Sequence, residues 1–169
     1  MPSEPEADGF RGSPTDEGGE LVDADVERIA GPEQRRLLDQ AVTVPSPATN
    51  AISEACKQAR IVASVGINER DGGTLYNTQL LFDADGTLIQ RRRKTTPTYH
   101  ERMVWGQGDG RGLRALETPL GRIGGLICWE NYMPLARMAM YEQGIDVLLA
   151  PTWDNSDEWV PTLRHIAKE

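Results

Sequence analysis

The sequence has 169 residues, 38% of them hydrophobic and 6% aromatic, and its formal net charge is −8. This length allows one domain with a hydrophobic core but not two of ordinary size. The negative charge disfavours nucleic acid as a partner. No apolar stretch is long enough to span a membrane, and the acidic N-terminus is unlike a signal peptide. We therefore expect no membrane segment and a cytoplasmic location.

The N-terminal part of the chain, residues 1–33, differs in composition from the rest. Through residue 27 it contains nine carboxylates and one basic residue, together with many glycines and prolines. Such a segment cannot bury enough apolar surface to offset its ordering entropy, so we expect it to be disordered or divergent. Some helix is compatible with residues 25–40. Residues 34–169 are expected to form the structured domain.

The first ordered elements are a helix and three strands. Ser46 is a favourable N-cap and is followed by Pro47, so a helix is predicted over residues 47–60. Residues 61–67 are rich in β-branched side chains and predict a short strand. Residues 74–82 and 87–92 flank a turn sequence and predict a hairpin. The apolar stripe expected on the helix consists of Ala48, Ile52, Ala55, Cys56 and Ala59.

The second half of the chain predicts a hairpin followed by a crossover. Residues 113–117 and 122–127 form the expected hairpin, and a helix is predicted over residues 134–143. Its inner face is assigned to Leu135, Met138 and Ala139. A strand over residues 145–150 completes a βαβ unit, which requires a parallel pair of strands. The predicted fold class is α/β with a mixed sheet.

Cys128 is the principal candidate for chemistry. It follows an apolar strand and precedes a helix, so its thiol is predicted to lie on a sharp turn facing a substrate. Lys94 closes another strand thirty-four residues upstream. A cation beside a thiol raises the thiolate fraction, and the pair is therefore a plausible activated nucleophile. A buried structural cysteine is the alternative for Cys128 and is the interpretation chosen for Cys56.

The remaining sequence features are interpreted as structural rather than catalytic. Two cysteines give no disulfide framework, so Cys128 is expected to be a free thiol. The basic run Arg91-Arg92-Arg93-Lys94 is interpreted as a solvated strand end rather than a phosphate-binding patch. His165 is expected to be an ordinary helix residue. No metal or cofactor is expected.

Taken in order, several motifs resemble the nitrilase branch of the carbon–nitrogen hydrolase family. They are Arg92-Arg93-Lys94, Pro97-Thr98, Glu101-Arg102, Trp105-Gly106-Gln107-Gly108-Asp109-Gly110 and Cys128-Trp129-Glu130-Asn131. The resemblance extends from about residue 41 to the end. It implies an α-β-β-α sandwich, of which this chain would form a part, and a Glu–Lys–Cys triad. Lys94 matches the triad lysine, Cys128 the nucleophile, and Glu101 a second glutamate that hydrogen-bonds near the triad.

The triad glutamate has no counterpart in this sequence. Glu33 is the nearest candidate, but it lies only 61 residues before Lys94 and lacks a preceding apolar strand. By comparison with the family, the chain is expected to be a middle segment that is cut at both ends. Little or no turnover is therefore expected from this chain alone. An ion pair with Arg102 or the arginine run is the alternative role for Glu101.

The resemblance implies hydrolysis of a small-molecule nitrile to a carboxylic acid and ammonia. The string Cys128-Trp129-Glu130 favours nitriles over amides, while an amidase, an N-carbamoyl hydrolase or a cyanide-hydrolysing relative stays open. Candidate substrate-binding residues are Trp129, Glu130, Tyr132 and Trp153, although Glu130 is equally suited to orienting the turn. The family also implies a homo-oligomer formed through the helix after Cys128. A non-catalytic fragment that associates with an intact subunit is the alternative function.

Overall fold

The computed structural model describes residues 31–169. The expectation of disorder for residues 1–30 lies outside this range, and the domain boundary predicted after residue 33 falls within the first helix. The helices are α1 (Pro32–Gln40), α2 (Pro47–Ala59), α3 (Pro134–Tyr141) and α4 (Trp159–Ile166). The strands are β1 (Ala63–Asp71), β2 (Thr74–Phe82), β3 (Leu88–Arg93), β4 (Leu116–Thr118), β5 (Gly121–Gly125) and β6 (Val147–Leu149).

The first sheet is antiparallel, with the order β1-β2-β3. The predicted hairpin of β2 and β3 is confirmed, and Lys94 lies directly after β3. The first strand is longer than predicted, because it extends to Asp71 and pairs with β2 along its whole length. Gly72 adopts a φ of 58° in the connecting turn, a conformation that glycine adopts without strain.

Helix α2 begins as the sequence predicts. The Ser46 side chain accepts a hydrogen bond from the Thr49 backbone N–H, which satisfies one of the free donors of the first turn. Cys56 is buried against Leu80 and Phe82 of β2, so its assignment to the core is confirmed. The prediction that the whole apolar stripe is buried is wrong. Its alanines at positions 48, 55 and 59 are exposed, because the buried face follows only the narrow line of residues 49, 52 and 56.

The second sheet combines an antiparallel and a parallel pair, in the order β4-β5-β6. Helix α3 connects the parallel strands β5 and β6, which confirms the predicted βαβ unit. Its predicted inner face is wrong. Ala136 and Met140 are buried, whereas Leu135 is 85% exposed and Met138 is 50% exposed. The helix has apolar residues on two faces, and their spacing alone does not select the one that packs on the sheet.

The two sheets face each other, and each carries a helix on its outer side. Gln79 of β2 lies so close to Gly125 of β5 that a Cβ atom on this glycine would clash with it. On the opposite face of β2, Leu80 packs against α2. In β5, Gly124 lies on the opposite face from its neighbour Gly125 and faces Met140 of α3. The layers are therefore helix, sheet, sheet and helix, which confirms the mixed α/β fold. In residues 31–169, no helix has the length and apolarity that crossing a membrane requires.

Candidate active site

Cys128 occupies a tight turn between β5 and α3. It begins a short 3-10 turn over Cys128–Tyr132 and has a φ of 53°, in the left-handed region. A side chain other than glycine in this region costs about 1–2 kcal/mol, so the surrounding structure must hold it there. The Cys128 N–H donates to the Pro151 carbonyl at 2.8 Å. The Asn131 amide donates to the Cys128 carbonyl at 2.9 Å and to the Leu126 carbonyl at 2.7 Å.

Lys94 is 1% exposed and directs its ammonium to Glu101. Its Nζ donates to Glu101 Oε2 at 2.6 Å and to Thr98 Oγ1 at 3.0 Å. The Glu101 carboxylate also accepts from the Thr98 N–H, which fixes it at the start of the 3-10 turn Tyr99–Met103. The structure thus brings Lys94 and Glu101 together. The alternative partner Arg102 donates instead to the Pro97 carbonyl.

Glu130 links the segment after Lys94 to the turn of Cys128. It is fully buried, and its Oε1 accepts from both the N–H and the hydroxyl of Thr95, each at 2.7 Å. Its Oε2 accepts from the Ile127 N–H at 2.7 Å and from Arg92 Nη2 at 2.7 Å. Both oxygens are therefore engaged by the protein. These contacts support the turn-orienting role of Glu130 over contact with a substrate.

The arginine run is not a solvated strand end, and that interpretation is wrong. Consecutive strand residues point to opposite faces, so Arg92 is buried between the sheets while Arg91 and Arg93 lie on the other face. Both of these arginines pair with Glu69 of β1. Burial acts to raise the pKa of Glu69, but hydrogen bonds from Arg91, Arg93 and Thr78 outweigh it and lower this pKa to about 2.

The candidate aromatic residues do not form one group. Trp129 packs on Tyr132 with ring centroids 4.8 Å apart, and Tyr132 meets the edge of Trp159 at 6.0 Å. Trp153, by contrast, is 97% exposed. In residues 31–169, no group of three or more His, Cys, Asp or Glu side chains is arranged to hold a metal ion.

Sequence reasoning missed three contributors to the site. Thr95 donates to the Glu130 carboxylate, the Thr98 N–H donates to the Glu101 carboxylate, and Asn131 spans the base of the Cys128 turn. Asn131 belongs to the quoted motif around Cys128, so membership of this motif is the sequence signal that could have identified it. Thr98 likewise belongs to the quoted motif Pro97-Thr98 and lies three residues before its partner Glu101. Thr95 carries no local signal, because its partner Glu130 is 35 residues away.

Comparison with known proteins identifies the family. A sequence profile described as carbon–nitrogen hydrolase matches residues 27–169. This chain is 67% identical to "Nitrilase 3" of an unknown prokaryotic organism, over 73% of this chain and 37% of that protein. It is 47% identical to "Nitrilase" of Paraburkholderia phymatum, over 83% of this chain and 43% of the relative. A "Bifunctional nitrilase/nitrile hydratase NIT4A" of Nicotiana tabacum is 44% identical, with 81% and 39% covered.

Solved structures agree on the fold. Nit3 of Saccharomyces cerevisiae, described as a member of branch 10 of the nitrilase superfamily, has a TM-score of 0.68 at 21% identity. The similarity covers 79% of this chain and 52% of that one. The chain belongs to the carbon–nitrogen hydrolase family. The names of its relatives place it in the nitrilase branch, and it spans 37–43% of the length of these three relatives.

Proposed function

We propose that this chain carries the nucleophile half of a nitrilase-type site, which converts a small-molecule nitrile and two waters to a carboxylic acid and ammonia. The observation that supports this most strongly is the attachment of two segments to one buried carboxylate. Glu130 binds the residue after Lys94 and the residue before Cys128, so the proposed cation and nucleophile are held on one framework. The relatives named nitrilases favour nitriles as the substrate class.

The first proposed step matches the chemistry of two residues at this site. The Cys128 thiolate adds to the nitrile carbon and forms a thioimidate, while the Lys94 ammonium stabilises negative charge on nitrogen. Water then adds to the thioimidate carbon, ammonia leaves, and a thioester is formed. A second water releases the carboxylic acid and restores the thiol. The reaction uses no redox step.

The general base is the incomplete part of this proposal. Glu101 is the carboxylate that forms an ion pair with Lys94 in residues 31–169, and it is therefore the candidate base that the described residues offer. Glu33, the nearest substitute for the triad glutamate, lies exposed in the first turn of α1. General base catalysis typically contributes about 10²–10⁴-fold in rate. We therefore propose little turnover by this chain alone.

The proposal includes two finer assignments. The substrate pocket is assigned to Trp129 and Tyr132, with Trp153 as a further candidate, and the location is assigned to the cytoplasm. Amides and cyanide stay open as substrates. Tobacco NIT4A is named both a nitrilase and a nitrile hydratase. The corresponding amide is therefore measured as a product beside the acid.

A second candidate function is association with another subunit of the same family. It is favoured by the outward face of α3, where Leu135 and Met138 are exposed apolar side chains. An apolar face on a helix that follows the nucleophile is suited to a homo-oligomer contact, and this chain would then bind an intact relative without turnover. Co-purification with a full-length homologue distinguishes this function from hydrolysis.

Ammonia release tests the proposed activity. The chain and its Cys128→Ala variant are incubated with aliphatic and aromatic nitriles, the corresponding amides and cyanide. Ammonia from nitriles that is abolished by Cys128→Ala supports a complete site with a base supplied by this chain. The absence of release from a folded chain, together with release by a version extended to the length of its relatives, supports the incomplete-site proposal. Release that persists in Cys128→Ala contradicts the assigned nucleophile.

A further inference from the structure

Arg92 and Glu130 form a buried ion pair beneath the candidate site. We propose that this pair, named here the Arg92–Glu130 clamp, positions the Cys128 turn against the end of β3 that carries Lys94. The inference rests on the proposed function, because it assigns a role relative to the nucleophile. Neither clamp residue is proposed to contact the substrate, so both are positioning residues.

The contacts of Glu130 define what the clamp joins. One oxygen binds the N–H and the hydroxyl of Thr95, the residue after Lys94, and the other binds the N–H of Ile127, the residue before Cys128. These two backbone segments are more than thirty residues apart in the chain. The single carboxylate therefore sets the distance between them, and a shift of its position moves the nucleophile relative to the cation.

The environment of Arg92 indicates a role in geometry rather than in stability. Its Nη2 donates to Glu130, while Nε and Nη1 have no hydrogen-bond partner in the described part of the chain. Gly112 also covers it closely, since a Cβ atom there would lie 2.5 Å from Arg92 Cγ. A buried ion pair is often no more stable than an apolar pair of equal volume. The proposal therefore assigns Arg92 to the placement of Glu130 rather than to a gain in stability.

The same strand supplies a matched control. Arg91 and Arg93 bind the buried Glu69 on the opposite face of the first sheet, and none of the hydrogen bonds of Glu69 reaches residues 94–101 or 127–132. Glu69→Gln thus weakens an arginine–glutamate cluster whose carboxylate is buried and whose arginines are partly exposed, and it removes no hydrogen bond of the Cys128 turn. Comparing Glu130→Gln with Glu69→Gln separates positioning from general stability.

The test uses the reactivity of the two thiols in the full 169-residue chain. Wild type, Glu130→Gln, Arg92→Met and Glu69→Gln are treated with iodoacetamide at pH 7, and the labelled cysteines are quantified separately by mass spectrometry. Cys56 is 2% exposed, so its labelling reports opening of the fold. Cys128 reports the site, because the proposed function places the Lys94 ammonium near its thiol, and a nearby cation favours the reactive thiolate form of a cysteine.

We expect both clamp variants to slow labelling of Cys128 by about fivefold or more without faster labelling of Cys56. Glu69→Gln should lower the melting temperature and leave the Cys128 rate within about twofold of wild type. Unchanged or faster labelling of Cys128 in folded clamp variants overturns the proposal. Equally slow labelling of Cys128 in Glu69→Gln also overturns the proposal, because the labelling rate would then follow stability alone.

If both clamp variants unfold, a milder variant tests the proposed role of the clamp. Thr95→Val removes the hydroxyl contact to Glu130 and keeps the ion pair. Slower labelling of Cys128 in Thr95→Val supports the clamp, and an unchanged rate overturns it. Labelling requires no nitrile hydrolysis, so an inactive chain can still support the clamp. An active chain with unaltered labelling in the variants would reject the clamp and leave the proposed function intact.

Discussion

At the scale of single residues, the conformation of Cys128 is the most informative feature of the molecule. A cysteine with a φ of 53° is held where glycine would be the favourable residue. Its N–H and carbonyl are both fixed, by Pro151 and Asn131 respectively. Local strain of this kind is typical of residues whose placement matters for chemistry, and here the strained residue is the proposed nucleophile.

The strain at Cys128 has a measurable consequence for stability. Cys128→Gly relieves the left-handed conformation, whereas Cys128→Ala keeps it, and both variants lose the thiol. We expect the free energy of unfolding of Cys128→Gly to exceed that of Cys128→Ala by about 1 kcal/mol. Urea unfolding followed by circular dichroism measures the difference. A more stable alanine variant would show that position 128 is not strained.

The sequence predicts the position of Cys128 better than it predicts the contacts that hold the Cys128 turn in place. The turn at Cys128 follows from an apolar strand, a cysteine and a later helix-starting proline, all of them local signals. Lys94 and Glu101 are seven residues apart, and the structure joins their charged groups at 2.6 Å, while their catalytic roles stay predictions from the family resemblance. The contact of Arg92 with Glu130 spans 38 residues and has no local signature, so only the fold discloses it.

At the scale of elements, β3 carries charged residues on both of its faces. Arg92 faces the second sheet, and Arg91 and Arg93 face Glu69, so alternation along one strand divides the basic run between a buried pair with Glu130 and a partly exposed cluster around Glu69. Composition alone predicted a solvated end, because arginines are usually exposed. The prediction failed since it ignored the carboxylates contributed by β1 and by the turn after β5.

The Glu69 cluster predicts a pH-dependent contribution to stability. The pKa of Glu69 is about 2 in the folded protein against an ordinary value of 4.5, so its contribution is present above about pH 5 and is lost as the pH falls towards 2. We expect Glu69→Gln to lower the free energy of unfolding at pH 7 by on the order of 2 kcal/mol. This difference from wild type should shrink steadily between about pH 5 and pH 3.

Urea unfolding at several pH values measures the effect, with Ser46→Ala as the control. Ser46 caps α2 through a neutral hydroxyl, so its removal should cost about 1 kcal/mol at every pH. A difference between Glu69→Gln and wild type that stays constant from pH 7 to pH 3 would contradict the assigned pKa.

The choice of the buried face of each helix is the feature that the sequence predicts least well here. The bounds of α2 and α3 agree with prediction to within two residues, because Ser46-Pro47 and Pro134 are strong start signals. The buried face of α3 is misassigned at Leu135 and Met138, whereas that of α2 is misassigned only at its three alanines. Alanine adds little burial wherever it lies, and α3 offers apolar side chains on more than one face, so packing rather than periodicity determines the orientation.

At the scale of the whole molecule, two small sheets and their outer helices form one four-layer arrangement. Three-stranded sheets bury a limited area, and the outward side of α3 leaves Leu135 and Met138 exposed. Scattered exposed apolar residues are normal, but two on one short helix beside the site form a patch that a second copy can cover. This patch is the surface to which the proposed self-association is assigned.

Leu135→Glu tests this connection. Leu135 is 85% exposed, so the substitution should change the free energy of unfolding of the monomer by less than about 0.5 kcal/mol. A charge in a self-contacting apolar face is placed opposite its own copy, and we expect self-association to be lost. Sedimentation velocity over a concentration series measures it. Trp153→Ser removes another highly exposed apolar side chain, outside α3, and should leave association unchanged. Equal association of wild type and Leu135→Glu would exclude α3 as the contact, and equal loss in Trp153→Ser would assign it to a broader surface.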